Sequence, residues 1–101
     1  MKKIYLDTES FFKVIKSTER SQVAEMVLDP GQSTGGPNNR HSDSDQWMYV
    51  IEGKGEAIID DETVEFQEGD LVLIEAGENH EVRNTGNTDL ETFNIYAPKA
   101  Y

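Results

Sequence analysis

Eight short β-rich runs, each cut off by a turn signal, constrain this chain more than any other feature of its sequence. They are Phe11–Ile15, Gln22–Leu28, Trp47–Ile51, Gly55–Ile59, Thr63–Phe66, Leu71–Ile74, His80–Arg83 and Glu91–Tyr96. Asp29-Pro30-Gly31, Glu52-Gly53, Asp60-Asp61, Glu68-Gly69-Asp70 and Thr85-Gly86-Asn87 punctuate them. Short strands at regular spacing with Gly, Pro, Asn and Asp between them read as a sandwich or barrel. The longest helix-like stretch, Thr18 to Met26, contains the β-branched Val23, with Val27 just beyond. Its apolar positions fit a period of two as well as a period of 3.6, so it too reads as strand. The fold class is all-β.

With 101 residues the chain has the size of one domain, 1–101, with one modest core. Within that size, Leu71–Ile74 and Trp47–Ile51 are apolar at nearly every position. A strand apolar on both faces is covered on both sides. One face meets the opposing sheet, and the other needs a partner that a chain this small cannot supply from itself. A second copy is the simplest source, so a homodimer is expected.

Charge and cysteine narrow the setting. Nine Lys and Arg stand against twenty Asp and Glu, a net charge of −11. Such a surface repels phosphate backbones and anionic lipid, so neither nucleic acid nor membrane is expected as a partner. Met1-Lys2-Lys3-Ile4 opens in the manner of a secretion signal, but Asp7 and Glu9 interrupt any apolar stretch. No cysteine is present, which removes disulfides, thiolate metal sites and thiol nucleophiles and fits a reduced, cytoplasmic setting.

Two histidines carry the remaining chemistry. His41 sits in the polar stretch Gly35 to Gln46, just ahead of an apolar strand. His80 opens a strand in which His80, Val82 and Asn84 share a face, because side chains alternate. Arg83 alternates away from that face. Trp47 and Tyr49 lie opposite Gln46, Met48 and Val50, and suit packing or dimer contacts.

These residues sit in a pattern that resembles a small single-domain cupin over about Val23 to Ile95. The second cupin motif, Gly-x5-Pro-x-Gly-x2-His-x3-Asn, is matched in spacing by Gly69, Glu75, Gly77, His80 and Asn84, with Glu75 in place of Pro. The first motif, Gly-x5-His-x-His-x3–4-Glu-x6-Gly, is anchored on Gly53, which puts Gln46 at the Glu position, His41 at the second His and Asn39 at the first. A register starting from Gly35 instead makes His41 the first His and Asp43 the second. It leaves Trp47 or Met48 at the Glu position, where neither suits a cation. The Gly53 register is preferred, since a loop absorbs a mismatch that a strand cannot.

The resemblance implies a double-sheet jelly-roll barrel with its site inside. It also implies a divalent transition metal held by His41, Gln46, His80 and Asn39. An amide oxygen is a weaker ligand than a carboxylate, and two imidazoles with two amides leave the ion's charge uncompensated. Neutral N and O donors favour Ni, Zn, Cu or Fe over Mg or Ca. Asp43, Asp45, Glu78 and Glu81 are the carboxylates near enough in sequence to help. The alternative is a metal-free, non-catalytic module whose paired amides orient a small polar metabolite. A third is an interaction module that uses its outer faces for assembly. Proteins resembling this one include dioxygenases, isomerases, decarboxylases and binding modules, and fold does not choose among them.

Overall fold

The computed structural model describes residues 1–7, 9–34 and 43–101. Eight strands follow in chain order: β1 (Phe12–Ser17), β2 (Gln22–Leu28), β3 (Asp45–Glu52), β4 (Lys54–Ile59), β5 (Glu62–Gln67), β6 (Leu71–Ile74), β7 (His80–Asn84) and β8 (Leu90–Ala97). Each coincides with one of the eight runs expected from the sequence. Thr18 to Ser21 forms a turn in which the Thr18 hydroxyl accepts from the Arg20 and Ser21 amides, and β2 then starts at Gln22.

The strands form two antiparallel sheets, ordered β1-β2-β8-β3-β6 and β5-β4-β7. This is the double-sheet jelly-roll architecture. Non-sequential neighbours such as β2-β8 and β3-β8 carry the crossovers that distinguish it from a simple meander. No helix among the described residues is long and apolar enough to cross a membrane.

Register places the inward side chains of the larger sheet in rows. Gln46 pairs with Tyr96 and Tyr96 with Gln22; Met48 pairs with Asn94 and Asn94 with Ala24. Thr92 lies between Val50 and Met26, and Phe12 pairs with Met26. The apolar part of this face, Met26, Leu28, Met48, Val50, Val72, Ile74 and Leu90, packs on Ala57, Phe66 and Val82 of the smaller sheet. Each large side chain buried in this way contributes about 1.5–3 kcal/mol.

The outward face behaves differently. Trp47, Tyr49, Leu71, Leu73 and Ile95 are all exposed, Leu71 at 57%. The second sides of β3 and β6, expected to be covered, are therefore open in the single chain. The pairing is also continuous across strands, with Trp47 between Leu73 and Ile95, and Tyr49 between Leu71 and Phe93.

Two glycines shape the passage from β3 into β4, Gly53 between the strands and Gly55 within β4. Gly53 has φ +94°, and a Cβ there would lie 2.7 Å from the Asp89 carbonyl oxygen. At Gly55 a Cβ would overlap the Arg83 carbonyl oxygen and lie 2.9 Å from the Phe66 ring. The first contact is backbone and cannot yield without parting β4 from β7. Gly55→Ala is therefore expected to lower stability by about 1–3 kcal/mol, read as a drop in the urea midpoint with an unchanged slope.

Candidate functional site

A cavity of about 500 Å³ opens between the sheets, and Gln46 and His80 both line it. They arrive from different sheets and from positions far apart in the chain. Asn39 and His41, the other two residues that the cupin resemblance singles out, lie outside the described residues.

His80 is placed by the turn before it. The Asn79 amide donates to Asp60 Oδ1 at 3.1 Å, and the Asp60 amide donates to the Asn79 carbonyl at 2.7 Å. Asp60 holds φ +52°, a conformation that aspartate tolerates better than most residues. This reciprocal pair ties the β4–β5 hairpin tip to the start of β7. His80, Val82 and Asn84 are all buried on one face of β7, as alternation requires.

The His80 ring lies with Nδ1 3.4 Å from the Glu78 carbonyl oxygen. A carbonyl only accepts, so this contact is a hydrogen bond in the tautomer that carries its proton on Nδ1. Burial pushes the imidazole below its ordinary range, and the Glu78 carbonyl and carboxylate offset only part of that. Burial thus favours the neutral ring.

Gln46 is oriented by a chain of hydrogen bonds across the larger sheet. The Thr92 hydroxyl donates to the Met26 carbonyl at 3.0 Å. It therefore accepts from Asn94 Nδ2, also at 3.0 Å. Asn94 Oδ1 then accepts from Gln46 Nε2 at 3.0 Å. The accept-only carbonyl at the end fixes which way each group points. The outcome is Gln46 Oε1 buried, without a hydrogen-bond partner among the described residues. A buried acceptor left unpaired costs about 1–3 kcal/mol.

The carboxylates near in sequence do not reach this space. Asp45 Oδ1 accepts from the Ala76 amide, Glu78 Oε1 from the Glu75 amide, and Glu81 pairs with Arg83 at 3.2 Å on the opposite side of β7. Asp43 is exposed and does not line the cavity. Among the described residues no cluster of three His, Cys, Asp or Glu could hold a metal. Gln46 and His80 line the same cavity, and an imidazole and a side-chain amide are both ligand types that a divalent cation takes.

Asn84 is structural. Its Nδ2 donates to the Leu28 and Thr88 carbonyls at 2.9 and 2.8 Å, and its Oδ1 accepts from the Gly86 amide. It fastens β7, the β7–β8 turn and the end of β2 together.

Sequence reasoning did not single out Thr92, Asn94 or Tyr96 as site residues. Their signal was the alternation of polar side chains within β8, all three buried. Nor did it find Gln22. That side chain accepts from the Ala100 and Tyr101 amides at 3.1 and 2.9 Å and donates to the Tyr101 carbonyl at 2.9 Å. Residues 100 and 101 are thereby held at the cavity, which both of them line.

Two facing antiparallel sheets with a polar-lined cavity between them define a jelly-roll protein built around an interior site. A family model described as "Cupin domain" matches residues 24–96. The chain belongs to the cupin family. It is similar to an oxalate-binding protein of Thermotoga maritima, 37% identical over 68 residues that make up 67% of this chain and 54% of that one. An uncharacterized protein of Methanocaldococcus jannaschii is 29% identical over 72 residues, 71% of this chain and 56% of the relative. The chain thus spans about half the length of the curated relatives it matches. Among solved structures, a Bacillus halodurans protein superposes with a TM-score of 0.88 at 30% identity, covering 94% of this chain and 75% of its own. A Thermotoga maritima protein described as a predicted oxalate decarboxylase superposes with a TM-score of 0.78 at 29% identity, over 87% of this chain and 79% of its own.

The lowered pKa of His80 has a stability consequence. The folded state resists protonating the ring, whereas the unfolded chain protonates it below about pH 6.5. The neutral ring's stability is present above that pH and is lost as pH falls towards the folded value. In urea titrations from pH 8 to pH 5 with EDTA present, wild type should lose stability relative to His80→Gln below about pH 6.5. Parallel curves for the two proteins would contradict this.

Proposed function

We infer that this cupin domain, taken as residues 1–101, binds a small polar molecule in its interior cavity and does so without a metal. The supporting observation is the cavity of about 500 Å³ between the sheets, whose described wall sets the polar side chains of Gln46 and His80 among apolar ones. Those two side chains would be the polar groups that meet the ligand. Oxalate, which the Thermotoga maritima relative is named for, offers only acceptors at neutral pH and meets no cationic side chain among the described lining residues. The test is a titration of 15N-labelled protein with a panel of small hydrogen-bond donors, followed at the Gln46 side-chain amide. Wild type should respond, and a folded Gln46→Leu variant should bind at least about tenfold more weakly, the equivalent of 1.4 kcal/mol. Cavity signals unmoved by the whole panel would remove this function.

The same two side chains favour a second reading, in which one divalent transition ion of the Ni, Zn, Cu or Fe type is held by His80, Gln46, His41 and Asn39. Such an ion would supply Lewis-acid or redox chemistry to a molecule in the cavity. Gln46→Glu separates the readings. A carboxylate cannot donate to Asn94 Oδ1, so the metal-free variant should lose about 1–3 kcal/mol. The variant should also bind Ni²⁺ more tightly than wild type if this side chain faces an ion. Elemental analysis of tag-free wild type soaked with Ni²⁺, Zn²⁺ and Fe²⁺ checks the reading directly, and metal far below one equivalent excludes it.

As partner for the open outer face we infer a second copy of the chain. Trp47, Tyr49, Leu71, Leu73, Phe93 and Ile95 form an uncharged strip on a molecule of net charge −11. Two such acidic molecules can approach closely only through a face of this kind. Light scattering at micromolar concentration should give twice the chain mass, and Leu71→Glu with Leu73→Glu should give the monomer. A monomeric wild type would refute the dimer.

A further inference from the structure

One row of side chains crosses the outer face of the larger sheet through all five strands. Lys13 on β1 pairs with Glu25 on β2, Glu25 with Phe93 on β8, Phe93 with Tyr49 on β3, and Tyr49 with Leu71 on β6. Residues 1–7 are tied to the β1 end of this row. Asp7 meets Lys13 at 3.8 Å and shares a side-chain hydrogen bond with Glu25. Ahead of that tie, Ile4 and Tyr5 are exposed, Tyr5 at 89%, and so is Leu71 at the far end of the row.

Charge is distributed unevenly along the same row. Five of the nine Lys and Arg fall in residues 1–20, where Asp7, Glu9 and Glu19 leave a net charge of +2, and residues 1–6 hold Lys2 and Lys3 with no acid. Residues 55–82, which include β6 and both of its flanking turns, contain ten Asp and Glu and no Lys or Arg. Glu68, Asp70 and Glu75 border β6 and are exposed. The sheet thus has a basic edge at β1 and an acidic edge at β6. A closed dimer is isologous, so the outer face meets its own copy. With the two-fold axis across the strands, β1 would lie over β1 and β6 over β6, like charge on like. With the axis along the strands the order reverses, and the basic edge of each copy comes to the acidic edge of the other. Complementary charge fixes the register of an interface, and like charge opposes it.

We propose that two copies dock outer face to outer face with their strand order reversed, so that residues 1–6 of each copy seat along β6 of the other. Ile4 and Tyr5 then cover Leu71 and Leu73, and Lys2 and Lys3 face the carboxylates around β6. This assignment rests on the outer face being the dimer interface, and it names what occupies the acidic edge of that interface. To reach β6 of its own chain the segment would have to cross four strand spacings, about 19 Å. Six residues span at most about 20 Å, so it would lie almost fully extended between the two faces. Seated on the other copy it needs no such extension and leaves the faces free to meet.

The chain has no cysteine, so Tyr5→Cys carries a nitroxide tag at one defined place. Unlabelled protein tagged in this way is mixed with 15N-labelled wild type at a concentration where light scattering gives the dimer. The Leu71–Ile74 amide signals of the labelled copy should broaden most. A tagged and labelled chain in excess unlabelled wild type reports the same contact within one chain, and should show weaker broadening there. Lys2→Glu with Lys3→Glu should weaken dimerisation at least about fivefold at low salt, and Glu68→Lys with Glu75→Lys added to that chain should restore it. A monomeric wild type removes the dimer and this docking with it. A dimer whose greatest broadening falls on Phe12–Ser17 keeps the strand order unreversed and overturns the docking alone. The seating of residues 1–6 is also overturned by a dimer that broadens Leu71–Ile74 only within the tagged chain or not at all, or by a double-lysine variant that dimerises as tightly as wild type.

Discussion

The polarity of the site descends from one backbone carbonyl, that of Met26. Because it can only accept, the Thr92 hydroxyl must donate to it, Asn94 must donate to Thr92, and Gln46 must donate to Asn94. Three side chains on two strands thus have no freedom to reverse. In a low-dielectric interior such a chain is rigid, since turning any one amide strands its neighbours. The Gln46 amide is fixed as a result, by sheet geometry rather than by any titratable group.

A second constraint works from the opposite sheet. His80 enters the cavity because Asp60 and Asn79 lock the hairpin tip against the start of β7, and Gly55 lets β4 approach the Arg83 backbone closely enough for that sheet to form. Burial then keeps the imidazole neutral. Two groups that attract cations and hydrogen-bond donors are brought together by devices that share no residue. Neither device depends on the metal ligation for which the two positions are used in the wider family.

The fold was readable from the sequence because its information is local. Period-two patterning and turn residues mark every strand, and Gly53, Gly69 and Gly77 at their motif spacings all take positive φ. The inward directions of Gln46, His80 and Asn84 followed from the same alternation. The apolar runs Trp47–Ile51 and Leu71–Ile74 correctly signalled two apolar faces, one of which the single chain leaves open. The site was legible only in part. His80 and Gln46 stood out because they occupy motif positions, but the orientation of the Gln46 amide depends on Thr92 and Asn94, nearly fifty residues away. The rim carboxylates looked available by proximity along the chain. In three dimensions Asp45 and Glu78 are used by nearby amides and Glu81 by an arginine. The part of the lining formed by Ala100 and Tyr101 depends on Gln22 gripping both residues, a contact spanning 79 positions that no local pattern encodes.

That grip acts entirely on main-chain atoms: the amides of Ala100 and Tyr101 and the carbonyl of Tyr101. The identity of the side chains at 100 and 101 is therefore uncoupled from these hydrogen bonds. Natural variation can redraw this part of the lining, ring for aliphatic or large for small, while the anchoring amide and both sheets stay as they are. Changes at these two positions would alter the lining and leave in place the hydrogen bonds that hold it.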